Sequence, residues 1–459
     1  MPGDRHEQGR RPNLLCLSPS FTPETTPTAI RAGKLLGELA REWDITVLTA
    51  SAGPHPSPAV EVRTVRPRRP RRVLSMLRRA RLDKLIELFV WPDESVFWVL
   101  PAVAAARREI RARRPQAIVV FMMPYAGGIA GLLLRRLTRL PLVLNLDDSP
   151  TCTDMHPHYP TRLHHRLAQR LENAYARRSD AVVYVSARNL ELVAARQPEE
   201  VRERMHLVRY GADHEDFAAA PQQPGVFEIA YAGAMSGWWS LLGESEPGGL
   251  AARAYDAWSR LGRYERTRLD QRTSSPAAIG HAILAAIAAE PAWEGRIALR
   301  VYGNPYPDAL VARALEAAGV ESVVTVMGAV PHREVATLLA RADLLFLTLP
   351  RRLDDSPGGR ISAKTYEYLA TDRPILAAAP RGENWDYLQG KPGVWLVEPD
   401  DERGMQAVIA ELAAAKLGGE PVSFDRSALH RELAYSTRAE QFDAVIRAAI
   451  ARRKPASSG

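Results

Sequence analysis

Short apolar runs alternate with longer amphipathic stretches along nearly the whole chain. Asn13-Leu-Leu-Cys-Leu17 reads as a buried strand, a Pro-rich loop follows over Ser18–Pro27, and a helix is expected from about Thr28 to Glu42, before a strand at Asp44–Thr49. The beat continues with a helix over Ala102–Arg113, a strand at Ala117–Phe121, a helix over Ala126–Leu137 and a strand at Leu142–Leu146. A long helical stretch, Tyr159–Arg178, then leads to the strand Ala181–Ser186, another helix, and the segment His206–Phe217. Strand, loop, helix, strand is the opening of a parallel, doubly wound α/β sheet, in which ligands collect beyond the carboxyl ends of the strands.

A second series begins after Pro221-Gln-Gln-Pro224, whose composition suits a hinge. Phe227–Gly233, Leu299–Gly303 and Val323–Gly328 read as strands, with a helix over Tyr306–Ala318, and the segment Pro331–Asp343 follows the last of them. The apolar run Leu344–Leu349 then feeds a loop opened by Pro357, Gly358 and Gly359, a helix through about Ala370, and a strand from Pro374. Helices over Asp400–Ala415 and Arg438–Arg452 complete the pattern. The length, 459 residues, exceeds the size at which one core usually stops growing. The expected organisation is a disordered leader at 1–12, one doubly wound domain over 13–220, a second over 221–435, and a terminal helix and frayed tail over 436–459.

Chemistry concentrates around the loop and helix after Leu349. Two glycines let the backbone approach a ligand closely, and Ser362 is placed to satisfy free amides at the start of the helix. Lys364 falls in the first turn, where a cation opposes the helix dipole unless something negative sits in front of it, which favours a bound phosphate. Glu367 comes one turn later on roughly the same face, where a carboxylate can accept both hydroxyls of a ribose. The plain alternative is a weakly stabilising surface pair between Lys364 and Glu367.

The string Lys364-Thr-Tyr-Glu367-Tyr-Leu-Ala-Thr-Asp-Arg-Pro374-Ile-Leu-Ala resembles the nucleotide-sugar motif of glycosyltransferase family 4, retaining enzymes of the GT-B fold. The resemblance implies two Rossmann-like domains facing a central cleft and a nucleotide-diphosphate sugar as donor, with Glu367 on the donor ribose. It also implies a terminal helix that returns to the first domain, and no metal or other cofactor. Gly358, Gly359, Arg360, Ser362 and Lys364 would surround the diphosphate, with Lys364 assisting its departure, and Gly233 would close the strand beside it. Thr26 stands in the first loop, which in relatives is Gly-rich and lies over the donor phosphates. Asp147 and Asp148 occupy the region where relatives carry a histidine or acid near the reacting sugar, and Trp238 is a candidate for stacking on a sugar or lining the acceptor groove. Two features depart from the pattern. Gly359 stands where relatives often have an earlier glutamate, and Met235–Gly243 shows no arginine and lysine to clamp the diphosphate.

Charge changes the picture of the first half. Through Phe217 there are 34 basic against 24 acidic residues, a net of +10; the remainder, 27 against 29, is −2. Arg63–Lys84 alone holds ten basic residues and one acid, and Leu85-Ile-Glu-Leu-Phe-Val-Trp91 follows it. Such a stretch is a solvated arginine-rich loop or a face for an anionic membrane surface; no recognisable nucleic-acid motif accompanies it, so no nucleic acid is expected as partner. Two distant cysteines, Cys16 and Cys152, and no apolar run near 20 residues suit a cytoplasmic protein, peripheral at the inner membrane face. Walker, G-x-G-x-x-G, zinc-spacing and G-x-S-x-G patterns are all missing. Asp-Asp-Ser-Pro occurs at 147–150 and 354–357, each after an apolar run, where it reads as a turn or as a carboxylate pair. The expected activity is transfer of a sugar to a glycan, lipid-linked or small-molecule acceptor. A non-catalytic nucleotide- or glycan-binding protein of the same fold and a nucleotide-sugar epimerase remain as alternatives.

Overall fold

The computed structural model describes residues 11–51, 53–154, 158–217, 221–235, 237–239, 249–328, 330–358, 360–420 and 422–453. They divide into two compact units. Unit 1 runs to Tyr210 and also takes Arg253–Arg266 and the chain from Tyr435; unit 2 holds Gly211–Ala252 and Thr267–Ala434.

Unit 1 contains β1 (Asn13–Leu17), β2 (Asp44–Thr49), β3 (Val60–Thr64), β4 (Ala117–Phe121), β5 (Leu142–Leu146), β6 (His158–Tyr159), β7 (Ala181–Tyr184) and β8 (Met205–Leu207). Seven of these form one parallel sheet in the order β3-β2-β1-β4-β5-β7-β8. β1, β4 and β5 are almost wholly apolar because both faces of such a sheet are covered by helices. One of those helices is the last of the chain, Tyr435–Ala451, which buries Ala439, Phe442, Val445, Ile446 and Ala449 with β1, β4 and β5.

Unit 2 contains β9 (Phe227–Ala232), β11 (Leu269–Asp270), β12 (Ile297–Tyr302), β13 (Val324–Val326), β14 (Leu344–Thr348), β15 (Arg351–Arg352), β16 (Ile375–Ala378) and β17 (Val394–Val397); β10 (Tyr264–Glu265) belongs to unit 1. Its main sheet is parallel throughout, in the order β13-β12-β9-β14-β16-β17. From β9 the chain builds outward through β12 and β13, then returns to add β14, β16 and β17 on the other side. The strand order therefore reverses between β9 and β14, which is where a doubly wound sheet opens a crevice for a ligand.

Several elements differ from the sequence reading. β3 was not expected: it is an edge strand with only Val60 buried, so it lacks a continuous apolar run. Arg71–Arg79 and Asp83–Phe89, within the basic stretch, are helices, and the helix placed at Ala102 already starts at Val96. Unit 1 closes at Tyr210, ahead of the proposed hinge. Residues 253–266 belong to unit 1 and those from 267 to unit 2: β10 pairs antiparallel with β6, and Arg266 donates to the Thr153 carbonyl and pairs with Asp154. Of the expected leader, 1–10 lie outside the described residues, whereas Arg11 donates to the Ala40 carbonyl and Pro12 accepts from the Asp44 amide. The expected tail at 454–459 also lies outside them.

Candidate functional site

At the carboxyl end of β9, Gly233 and Lys364, both singled out in the sequence, come together. At the end of β9 the Gly233 amide donates to the Tyr302 carbonyl at 2.7 Å, and on the next strand the Gly303 amide donates to the Gly328 carbonyl at 2.6 Å. Gly233 has φ +142°, a conformation in which side chains are strained. A Cβ there would stand 2.7 Å from Lys364 Cε and 3.0 Å from its Nζ. The missing side chain is thus what lets Lys364 lie against this strand end.

Lys364 reaches Gly233 from the helix Ala363–Leu369. Its ammonium is 5.3 Å from the centre of the Tyr231 ring, and among the described residues no carboxylate lies within 4.0 Å of it. Lys364 therefore does not form the surface pair with Glu367. Glu367 is half-buried on the same helix. One residue further, Tyr368 is fully buried and its hydroxyl accepts from the Ala232 amide at 3.0 Å. Burial pushes the Tyr368 phenol well above its usual range, so it stays neutral. This bond fixes the helix to the residue preceding Gly233, and with it the position of Lys364.

The start of the helix differs from expectation. Ser362 occupies the cap position with extended backbone, φ −68° and ψ 144°, but its side chain accepts no cap hydrogen bond. A buried amide takes that part: Asn384 Oδ1 accepts from the Ser362 amide at 3.4 Å and from the Thr365 hydroxyl at 2.6 Å. The helix is only seven residues long, so its dipole contributes less than a longer helix would. Gly358 forms a parallel bridge with Gly382: the Gly358 amide donates to the Arg381 carbonyl, and the Glu383 amide to the Gly358 carbonyl. Arg360 is half-buried in the same loop, and Gly359 lies outside the described residues. Tyr231 and Asn384 are site residues that sequence reasoning missed. The only local signal for Tyr231 was its place two residues before the strand-ending glycine; Asn384 carried none.

Three candidates make structural contacts elsewhere. Trp238 is 7% exposed and packs edge-on against Trp239, ring centres 4.3 Å apart, in the core of unit 2. Buried there, it offers no face for a sugar. Thr26 caps the helix Pro27–Leu39: its hydroxyl accepts from the Ala29 amide at 3.3 Å and lies 3.2 Å from that of Ser20. Asp147 is 4% exposed and both its oxygens are occupied, one by the Asn145 amide at 2.8 Å and the other by the Tyr210 hydroxyl at 2.9 Å. Arg31, equally buried, stands 4.0 Å from it and bonds Asn145 Oδ1 and the Val208 carbonyl. A carboxylate held by that set orders the strand ends of unit 1. Burial and then the Asp147 charge push the Tyr210 phenol well above its usual range.

Asp148 differs from its neighbour in being half-buried, and it accepts from the Thr153 hydroxyl at 2.9 Å. The loop after it is held from beneath by Glu172, fully buried, which accepts from Ser149 at 2.6 Å, from Thr151, and from Arg196 at 2.9 Å. In the second Asp-Asp-Ser-Pro copy Asp354 accepts from both the amide and the hydroxyl of Ser356, which is a turn. His156, the histidine nearest the first copy, lies outside the described residues, and His158 is in β6.

Residues 28–211 match the family model described as a glycosyl transferase 4-like domain. Among curated proteins nothing matches. Solved structures do. Sucrose-phosphate synthase from Thermosynechococcus elongatus is similar at 15% identity and TM-score 0.61, over 96% of this chain and 100% of that one. Anabaena HepE, solved with UDP and glucose, is similar at 14% identity and TM-score 0.57, over 95% and 100%. A UDP-forming trehalose-phosphate synthase from Burkholderia vietnamiensis is similar at 14% identity and TM-score 0.58, over 98% and 100%. At these identities the likeness is one of fold. Residues 28–211 are a glycosyl transferase 4-like domain, and the chain, with its two doubly wound units, is glycosyltransferase-like and has the GT-B fold.

Proposed function

We propose that the chain transfers a sugar from a nucleoside diphosphate sugar to an acceptor hydroxyl, with retention at the anomeric carbon. One observation carries the reading: at the switch point of unit 2, an ammonium with no carboxylate partner among the described residues lies against the backbone of Gly233. A cation so placed is matched by a diphosphate. As the bond from the anomeric carbon to the diphosphate oxygen breaks, negative charge grows on the departing phosphate and Lys364 stabilises it. The acceptor oxygen forms the new bond at the same carbon, and its proton passes to a phosphate oxygen on the same face. Glu367, half-buried and three residues after Lys364, takes the ribose hydroxyls. Gly358 and Arg360 belong to the diphosphate end, and Asp148 is the remaining acid on the acceptor side.

Uridine is the first base to test, since HepE was solved with UDP and with UDP-glucose. The acceptor is a glycan or a lipid-linked molecule presented at the cytoplasmic side of a membrane, a placement supported by the basic character of the unit that would hold it. The reading is tested by binding of UDP and of its 2′,3′-dideoxy analogue, each to wild type and to Glu367→Ala. A charged hydrogen bond is worth about 1.5–3 kcal/mol, so wild type should prefer UDP about tenfold to a hundredfold, and the variant should not discriminate. Equal discrimination by both proteins would remove Glu367 from the ribose.

A further inference from the structure

From Val62 to Leu82 the chain has no Asp or Glu, and eight arginines in that span are exposed. Arg78 pairs with Glu94, and Arg81 lies over the Tyr255 ring at 5.8 Å. The other six, Arg66, Arg68, Arg69, Arg71, Arg72 and Arg79, have no carboxylate within 4.0 Å among the described residues. So dense a set of like charges, without carboxylate partners among the described residues, calls for an anionic partner.

Apolar side chains on the same elements decide what kind. In the helix Arg71–Arg79, Val73, Leu74, Met76 and Leu77 share one side, and Arg71, Arg72, Ser75, Arg78 and Arg79 the other. Leu74 is buried and anchors the helix to unit 1, but Val73 is 51% exposed and Met76 61%. The chain then turns at Arg81, φ +56°, into the helix Asp83–Phe89, where Phe89 is 81% exposed. That second helix is firmly seated: Lys84 donates to the Pro160 carbonyl at 3.2 Å, Tyr255 donates to Asp83 at 3.0 Å, and His164 bonds the Leu88 carbonyl at 3.1 Å. Val73, Met76 and Phe89 are thus exposed on the same segment that carries the arginines. A strand of nucleic acid would neutralise the arginines and leave Val73, Met76 and Phe89 in water. A bilayer with anionic headgroups covers both sets, because its headgroups lie just above its acyl chains.

We propose that residues 66–89 form a docking surface for an anionic lipid bilayer, with Val73, Met76 and Phe89 entering the headgroup boundary and the arginines bonding lipid phosphates. The proposal is independent of the donor-site reading, which rests on unit 2 alone.

The test is co-sedimentation of the purified full chain with phosphatidylcholine vesicles, with and without phosphatidylglycerol. The expected result is binding to the phosphatidylglycerol vesicles only, weakened by salt because the arginine contacts are screened. Each arginine near the surface contributes about fivefold, so the triple reversal Arg71→Glu, Arg72→Glu, Arg79→Glu should abolish binding at vesicle concentrations that hold the wild type. The triple Arg→Lys variant, which keeps charge, should bind, and so guards against a folding artefact. Met76→Ser with Phe89→Ser should weaken binding with every arginine still present. Failure of the wild type to bind anionic vesicles would overturn the proposal, as would binding indifferent to charge reversal. So would tighter binding to a DNA duplex that ignores the two serine substitutions.

Discussion

Gly233→Ala is the sharpest perturbation of the candidate donor site, because one methyl group acts on backbone and ligand group together. At φ +142° an alanine is strained, and residues forced into such regions cost about 1–3 kcal/mol. The methyl also has nowhere to go: it would lie 2.7 Å from Lys364 Cε and 3.1 Å from a Tyr231 ring carbon. Lys364 is the flexible neighbour, so it is the one displaced. If its ammonium stabilises the departing diphosphate, moving it should lower turnover about a hundredfold, the order seen when one stabilising donor is removed from a transition state. Release of nucleoside diphosphate, measured in Gly233→Ala, Lys364→Ala and the double variant, separates the two contributions. With Lys364 already truncated, the methyl has no ammonium to displace, so the double variant should be about as active as Lys364→Ala. A double variant that loses the product of the two single effects would refute the claim that Gly233 acts through Lys364.

Other expectations follow from the same contacts. Gly382→Ala places a methyl 2.5 Å from the Gly358 carbonyl oxygen at φ +142°; a loss of about 1–3 kcal/mol in urea unfolding is expected, and an unchanged midpoint would contradict it. Asp147→Ala leaves buried Arg31 without its opposite charge and should cost about 3–5 kcal/mol by the same measurement; a near-neutral result would contradict a structural part for the pair. His165, His206 and His430 are held below the ordinary imidazole value of 6.5 chiefly by burial, with charges on Arg266, Arg452 and His214 adding to it. The unfolded chain therefore takes up protons first, and stability present above pH 6.5 is lost as pH falls toward the folded values. His281, raised by its bond to Glu402, acts in the opposite sense but at a largely exposed position. The melting temperature should accordingly fall between about pH 7 and pH 5.5, and a rise over that range would overturn the assignment.

The doubly wound pattern was legible because parallel strands covered on both faces leave unbroken apolar runs, as in Ala117–Phe121 and Leu344–Thr348. Lys364 and Gly233 were legible as candidate site residues for local reasons, one at a helix start and one closing a strand. What no local pattern revealed was their contact, made across more than a hundred residues and only because the sheet places β9 beside β14. The same limit explains Asp147. An acid after an apolar strand looks alike whether it faces a ligand or is held by Tyr210, 63 positions away, and Arg31. Ser362 carries the right signal for a cap, but its side chain accepts no cap bond, and the Thr365 amide donates to its carbonyl instead. Trp238 was ambiguous by composition, since the large apolar face that suits a sugar also suits a core. The membership of Arg253–Arg266 in unit 1 rests on the pairing of β10 with β6, again a contact that sequence spacing does not encode.

The central claim, that Lys364 assists departure of a nucleoside diphosphate, is tested most directly by incubating the purified chain with UDP-glucose and a panel of other nucleoside diphosphate sugars, and measuring the diphosphate released. Release should be detectable with at least one donor and should fall about a hundredfold in Lys364→Ala. Equal release by wild type and variant, or none from any donor with any acceptor, would contradict it.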